Sequence, residues 1–203
     1  MIVYVESNFV LEIALGQEKA PAAETILAFA ETHKLELCCP GFALSEPFAT
    51  VTGRGRKRED LGKSLTGTLR ELRRSKPHEE VVSELQSVPA ILTNIANKEF
   101  SLLQSTVKRL LHVSKLIELN SAIYEQAIGY QFFFGLSPQD SFIYASVISD
   151  LIRRDRKEPK YFISRNWKDF RDFSIKYELE SYNCRYVENF NVGLSLIQGN
   201  IPE

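Results

Sequence analysis

The sequence predicts an α/β protein built on a parallel sheet, and three observations predict it. Short apolar runs, at residues 2–5, 35–39 and 161–163, alternate with segments whose apolar residues recur at helical spacing. The runs are apolar nearly throughout, as in strands buried on both faces, where a half-exposed strand would alternate with polar residues. Each run is also stopped at once by polar or turn-forming residues: Glu6-Ser7-Asn8, Pro40-Gly41 and Ser164-Arg165-Asn166.

The composition sets limits on function. With 203 residues the chain is long enough for one sizeable core, and one globular domain over 1–203 is expected. The 25 basic and 26 acidic residues nearly cancel, so any nucleic-acid partner must be met by a local patch. No stretch approaches the roughly 18 apolar residues of a membrane span, and the first residues are too acidic and strand-like for a signal peptide. A cytoplasmic protein without a membrane partner is expected. Cys38, Cys39 and Cys184 fit neither a disulfide framework nor a zinc site and read as small buried hydrophobes.

Residues 2–5, mostly β-branched or aromatic, form the first strand, and Phe9, Val10, Ile13 and Ala14 share one side of the helix after it. Glu6 therefore stands at the carboxyl end of a strand, the edge where open α/β sheets collect ligands. The alternative is structural: Ser7 or Asn8 caps the helix and Glu6 favours its positive end. Pro21 starts a second helix that buries Ala23, Ile26, Leu27 and Ala30 and runs to about His33. After the second strand, Glu46 falls in the first turns of the next helix, in the same topological position as Glu6.

The stretch GRGRKREDLGK, from Gly53 to Lys63, reads as an exposed, mobile loop. Its Arg54, Arg56, Lys57 and Arg58 are either ordinary solvated charges or phosphate contacts. Long helical patterns punctuated by Pro77 and Pro89 follow, so that residues from about 53 to 115 form a helical insertion beside the sheet. A short extended piece comes next, then a helix capped by Asn120 and ending near Gly135. Ser137 caps a strongly apolar helix with Pro138 and Asp140 in its first turn, and Asp150 farther along reads as solvated. Tyr161 to Ile163 form another strand, with Asp169 about one turn beyond its end. YNCRYV supplies the last strand and ENFNVGLSLIQG the last helix.

Four places thus put acid or amide groups at strand ends or first helical turns: Glu6, Glu46, Asp140 and the pair Asn166/Asp169. In a parallel sheet these edges lie on one side. Carboxylates crowded together cannot all ionise unaided. A divalent cation resolves the conflict, and oxygen-only ligands suit Mg²⁺ or Mn²⁺ better than zinc.

The order of strand, acid and Ser-Asn, an acid after the second strand, QDSFIYASVISDL, and a strand followed by SRNWKDF resembles the PIN domain, a metal-dependent nuclease fold. The resemblance covers most of the chain apart from about residues 53–115. It implies a three-layer α/β/α fold and a metal-dependent endoribonuclease, possible as the toxin of a toxin-antitoxin pair. The family's first acid and following Ser-Asn correspond to Glu6, Ser7 and Asn8, its second acid to Glu46 and its third to Asp140. Its last motif corresponds to Ser164, Arg165 and Asn166, with Asp169 before Phe170. Two departures stand out: Glu6 is a methylene longer than the usual aspartate, and Asn166 replaces the fourth acid.

On this resemblance Glu6, Glu46 and Asp140, with Asn166 as a neutral ligand and Asp169 in support, hold one or two cations that activate a water. Ser7 orients Glu6 or touches the phosphate, Asn8 braces the strand end through hydrogen bonds, Ser164 joins them on the substrate side, and Trp167 or Phe170 either stacks on a base or belongs to the core. RNA, a cognate antitoxin or other inhibitor protein, and a second copy of the chain are the implied partners. The alternative is a catalytically inactive PIN-like module that binds RNA or protein. A dehalogenase-type hydrolase would need aspartates where Glu6 and Asn8 stand, and no Gly-rich fingerprint follows the first strand. His33, His78 and His112 are scattered and support no histidine-based site.

Overall fold

The computed structural model describes residues 1–201, and within them every side chain but that of Trp167; the expectation that Trp167 stacks on a base lies outside the described residues. The chain divides into two compact units, one of residues 1–47 with the chain from Thr106 onward, the other of Phe48–Ser105.

The first unit is a mixed α/β structure on a five-stranded parallel sheet, compatible with a three-layer α/β/α fold. Its strands are β1 (Ile2–Val5), β2 (Glu36–Pro40), β3 (Ser114–Ile117), β4 (Lys160–Ile163) and β5 (Cys184–Val187), in the order β3-β2-β1-β4-β5. β1 and β4 are buried at every residue, which explains their apolar character, broken only by the buried Lys160. Between them the order reverses: the chain builds outward from β1 to β2 and β3, then returns to lay β4 and β5 on the other side. Such a reversal opens a crevice at the carboxyl ends of the two strands that flank it.

Residues that alternate along a strand face opposite layers. Tyr4 and Phe162 are paired in register; Tyr4 reaches α7 (Pro138–Leu151), and Phe162 packs 5.1 Å from Phe170 of α8 (Trp167–Phe170). Ile163, next along β4, meets Gly193 of α10 (Phe190–Gln198) so closely that a Cβ there would lie 2.6 Å from its Cδ1. α1 (Ser7–Ala14) joins α10 through Phe9 and Phe190, whose rings are 5.6 Å apart. α2 (Ala20–Glu31) packs against α1 and α10 and buries the predicted Ala23, Ile26, Leu27 and Ala30. α6 (Ser121–Phe134) and α9 (Phe173–Ser181) complete the layer of α7, linked by Tyr130, which donates to Glu178 at 2.8 Å. The caps are as expected: Asn120 Oδ1 accepts from Ile123 N–H, and Gly135 closes α6 with a left-handed φ of 64°.

In the second unit one expectation is corrected. Residues 53–63 are not a loop but part of α3 (Ser45–Leu72), which is followed by α4 (Glu79–Leu85) and α5 (Val88–Val113). Two of the glycines that suggested a loop, Gly55 and Gly62, serve packing. A Cβ at Gly55 would lie 3.6 Å from Ala96 Cβ, and one at Gly62 would lie 3.5 Å from Pro89 O, so both mark where α5 comes close. Phe48 and Phe100 meet edge-on at 6.3 Å, and Arg58 forks onto Glu99, with Nη2 3.0 Å from Oε1. Among the described residues no helix is long and apolar enough to cross a membrane.

Candidate functional site

The register Val5↔Ile163 sets the site. The residues that follow this pair, Glu6 and Ser164, leave adjacent strands side by side at the switch point. Glu6 is the N-cap of α1: its Oε2 accepts from Asn8 N–H at 2.9 Å and from Ser7 Oγ at 2.7 Å. The cap is therefore Glu6 and not Ser7 or Asn8, which serve as its donors. Its other oxygen, Oε1, is buried and has no hydrogen-bond partner among the described residues. Burial pushes the Glu6 carboxyl above its ordinary value, while Ser7, Asn8 and the Ser164 hydroxyl act in the opposite direction.

Ser164 is fully buried. Its Oγ accepts from Asn166 N–H at 3.0 Å, and its carbonyl accepts from Tyr186 Oη at 3.0 Å. This turn aims Asn166 at α7, where its Nδ2 donates to Asp140 Oδ1 at 2.7 Å. Ser137 and Asp140 cap one another: Asp140 N–H donates to Ser137 Oγ at 3.1 Å, and the Ser137 hydroxyl donates to Asp140 Oδ2. Burial raises the Asp140 carboxyl above its ordinary value, opposed by the Ser137 and Asn166 hydrogen bonds and reinforced by the neighbouring Asp169 carboxylate. Glu6, Ser7, Asn8, Asp140, Ser164, Asn166 and Asp169 therefore gather at one edge of the sheet.

Glu46 does not complete a three-carboxylate cluster with Glu6 and Asp140; among the described residues no three His, Cys, Asp or Glu side chains form a metal-holding group. A 3₁₀ turn, Gly41–Leu44, intervenes between β2 and α3, so Glu46 is carried past the strand end. Arg54, Arg56 and Lys57 are exposed on α3, whereas Arg58 is occupied by Glu99. Phe170 is fully buried against Phe162 and is core, which removes it as a stacking surface.

Asp150 is not solvated. It is buried and accepts from Tyr4 Oη at 2.9 Å, Lys115 Nζ at 2.8 Å and Arg154 Nε at 2.9 Å. Glu12 and Tyr186 were invisible as parts of the site. Glu12, fully buried in α1, takes the Arg165 guanidinium and so ties the Ser164–Asn166 turn to α1. A charged residue on an otherwise apolar helical face was the available signal for it.

The donor set suits a hard divalent cation in type: oxygens only, with one buried carboxylate oxygen left unpartnered. Compared with protein-family models, with curated proteins and with solved structures, the chain has no match.

Proposed function

We propose that the chain is a PIN-like, metal-dependent endoribonuclease that hydrolyses RNA phosphodiester bonds with bound Mg²⁺ or Mn²⁺. The observation that carries this reading is Glu6 Oε1, a buried carboxylate oxygen without a partner among the described residues, at the switch point of a parallel sheet. A buried acceptor left unmade costs about 1–3 kcal/mol, and more when charged, so an acid held this way at a strand end suits a bound cation better than a capping role alone.

Glu6 and Asp140 would hold the ion, with the Asn166 carbonyl oxygen as a neutral donor. When bound, such an ion polarises a phosphate oxygen and lowers the pKa of a water so that the water attacks in line. The chain's own groups set the stage. Ser7 and Asn8 lock one Glu6 oxygen and leave the other free, while Ser137 and Asn166 fix the Asp140 rotamer. Asp169 beside Asp140 keeps the edge electronegative until a cation enters. Exposed Arg54, Arg56 and Lys57 are proposed as phosphate contacts, and a cytoplasmic setting with a cognate inhibitor protein accompanies this reading.

One observation favours a second reading. The Asn166 amide already supplies Asp140 with a donor, and no three acids meet among the described residues, as suits an inactive PIN-like module that binds RNA or protein. Incubating labelled single-stranded RNA with Mn²⁺ and either the wild type or Asp140→Asn separates them. The nuclease reading predicts slow cleavage that is lost in the variant and in EDTA. Intact RNA with the wild type at millimolar Mn²⁺ selects the module.

A further inference from the structure

We propose that the cleft along β5 is a binding site for single-stranded nucleic acid, with backbone phosphates held by Lys176 and Arg185 and a base stacked on Phe173. The proposal rests on the nucleic-acid reading of the neighbouring edge for the identity of the polymer, and on the cleft itself for its position.

β5 is an edge strand, and beside it opens a cleft of about 750 Å³ between the start of α9 and the start of α10. Lys176 and Arg185 line it, with Glu188 as the carboxylate among the described lining residues; Arg171 also lines it but is engaged elsewhere. Two cations on a concave surface suit the backbone of a polyanion. The cleft shares a wall with the candidate site: Tyr186 lines it and donates its hydroxyl to the carbonyl of Ser164, the residue beside Glu6. A strand lying in the cleft would continue toward the carboxylates.

The second, independent observation is an aromatic pair on α9. Phe173 is 80% exposed and Tyr177 69%, with ring centroids 6.4 Å apart and planes 22° from parallel. On a helix, positions 173, 176 and 177 share a face, with Phe173 between Lys176 and Tyr177. Neither ring is needed to fill the core, and helical spacing sets both next to Lys176, which lines the cleft. Alternating cations and open aromatic faces are how proteins hold unpaired bases without reading their sequence.

The test is fluorescence anisotropy with a labelled single-stranded RNA of about 12 nucleotides, in EDTA so that cleavage is off. The wild type is expected to bind, and the double variant Lys176→Ala/Arg185→Ala to bind about tenfold more weakly or worse. The slope of log K against log salt should flatten by about 1.4, roughly 0.7 for each lost phosphate contact. Phe173→Ala should weaken binding about tenfold with the slope unchanged. All the substitutions are at the surface, and circular dichroism checks that the fold is kept. Variants that bind like the wild type overturn the proposal. So does a concentration-dependent dimer in sedimentation that Phe173→Ala abolishes, since the face would then serve a second copy. RNA bound in this cleft but never cut in Mn²⁺ leaves the cleft standing and removes the nuclease; RNA cut equally well by wild type and variants does the reverse.

Discussion

Asn166 donates its side-chain amide to Asp140 Oδ1 at 2.7 Å, joining the end of β4 to the first turn of α7. An acid at position 166 would face Asp140 as a like charge and require a cation between them; the amide supplies a donor instead. The contact between β4 and α7 is thereby stabilised without a cation.

Asn166→Asp should invert that balance. In EDTA, loss of the charge-assisted hydrogen bond is expected to cost about 1.5–3 kcal/mol in urea unfolding. In Mn²⁺ the added carboxylate should tighten binding about tenfold and speed RNA cleavage, since ligand charge tunes such affinities. Unchanged metal affinity would show that position 166 lies outside the ion's reach.

Asp150 carries a prediction on acid stability. Burial pushes its carboxyl up, but hydrogen bonds from Lys115, Arg154 and Tyr4 prevail and hold it below its ordinary value of 3.8. In the acid range the unfolded chain therefore binds this proton more readily than the native one, so the stabilisation is fully present above about pH 4 and is lost as pH falls through the native value. Asp150→Asn should cost about 2–3 kcal/mol at pH 7. The gap from the wild type should close toward pH 3 in urea titrations, with Mn²⁺ binding unaffected.

Glu6 has the opposite sign. Its carboxyl is raised from the ordinary 4.5 chiefly by burial, so the native state holds the proton more tightly. The metal-free protein should thus lose stability as pH rises from about 4.5 through the native value. Glu6→Gln keeps an acceptor for Ser7 and Asn8 and removes the charge. It is expected to be about 1–3 kcal/mol more stable than the wild type at pH 8 in EDTA, and nearly equal to it at pH 4. A variant less stable at pH 8 would mean that the ionised carboxylate is satisfied within the fold.

The strands were legible because β1 and β4 are buried at every residue and β2 at all but Glu36, which leaves nearly continuous apolar runs, and the polar stops after them marked Glu6 and Ser164 as edge residues. Register was not legible. Only the pairing Val5↔Ile163 shows that Glu6 and Ser164 are neighbours, and only the 3₁₀ turn before α3 shows why Glu46 is not drawn in. Gly55 and Gly62 misled because a glycine that admits a neighbouring helix looks, in sequence, like one that breaks its own. Asp150 was misread for a related reason: its partners Tyr4 and Lys115 are 146 and 35 residues away, and no local pattern announces them. The aromatics Phe173 and Tyr177 carried no sequence signal beyond being hydrophobic; their exposure is a tertiary fact.

The most direct test is a calorimetric Mn²⁺ titration of the wild type and of Glu6→Gln at neutral pH. If the unpartnered Glu6 Oε1 is one wall of a metal site, the wild type binds with micromolar to millimolar affinity and the variant, though better folded, does not. Equal binding by the two proteins, or none by the wild type, would contradict the account and return Glu6 to the role of a helix cap.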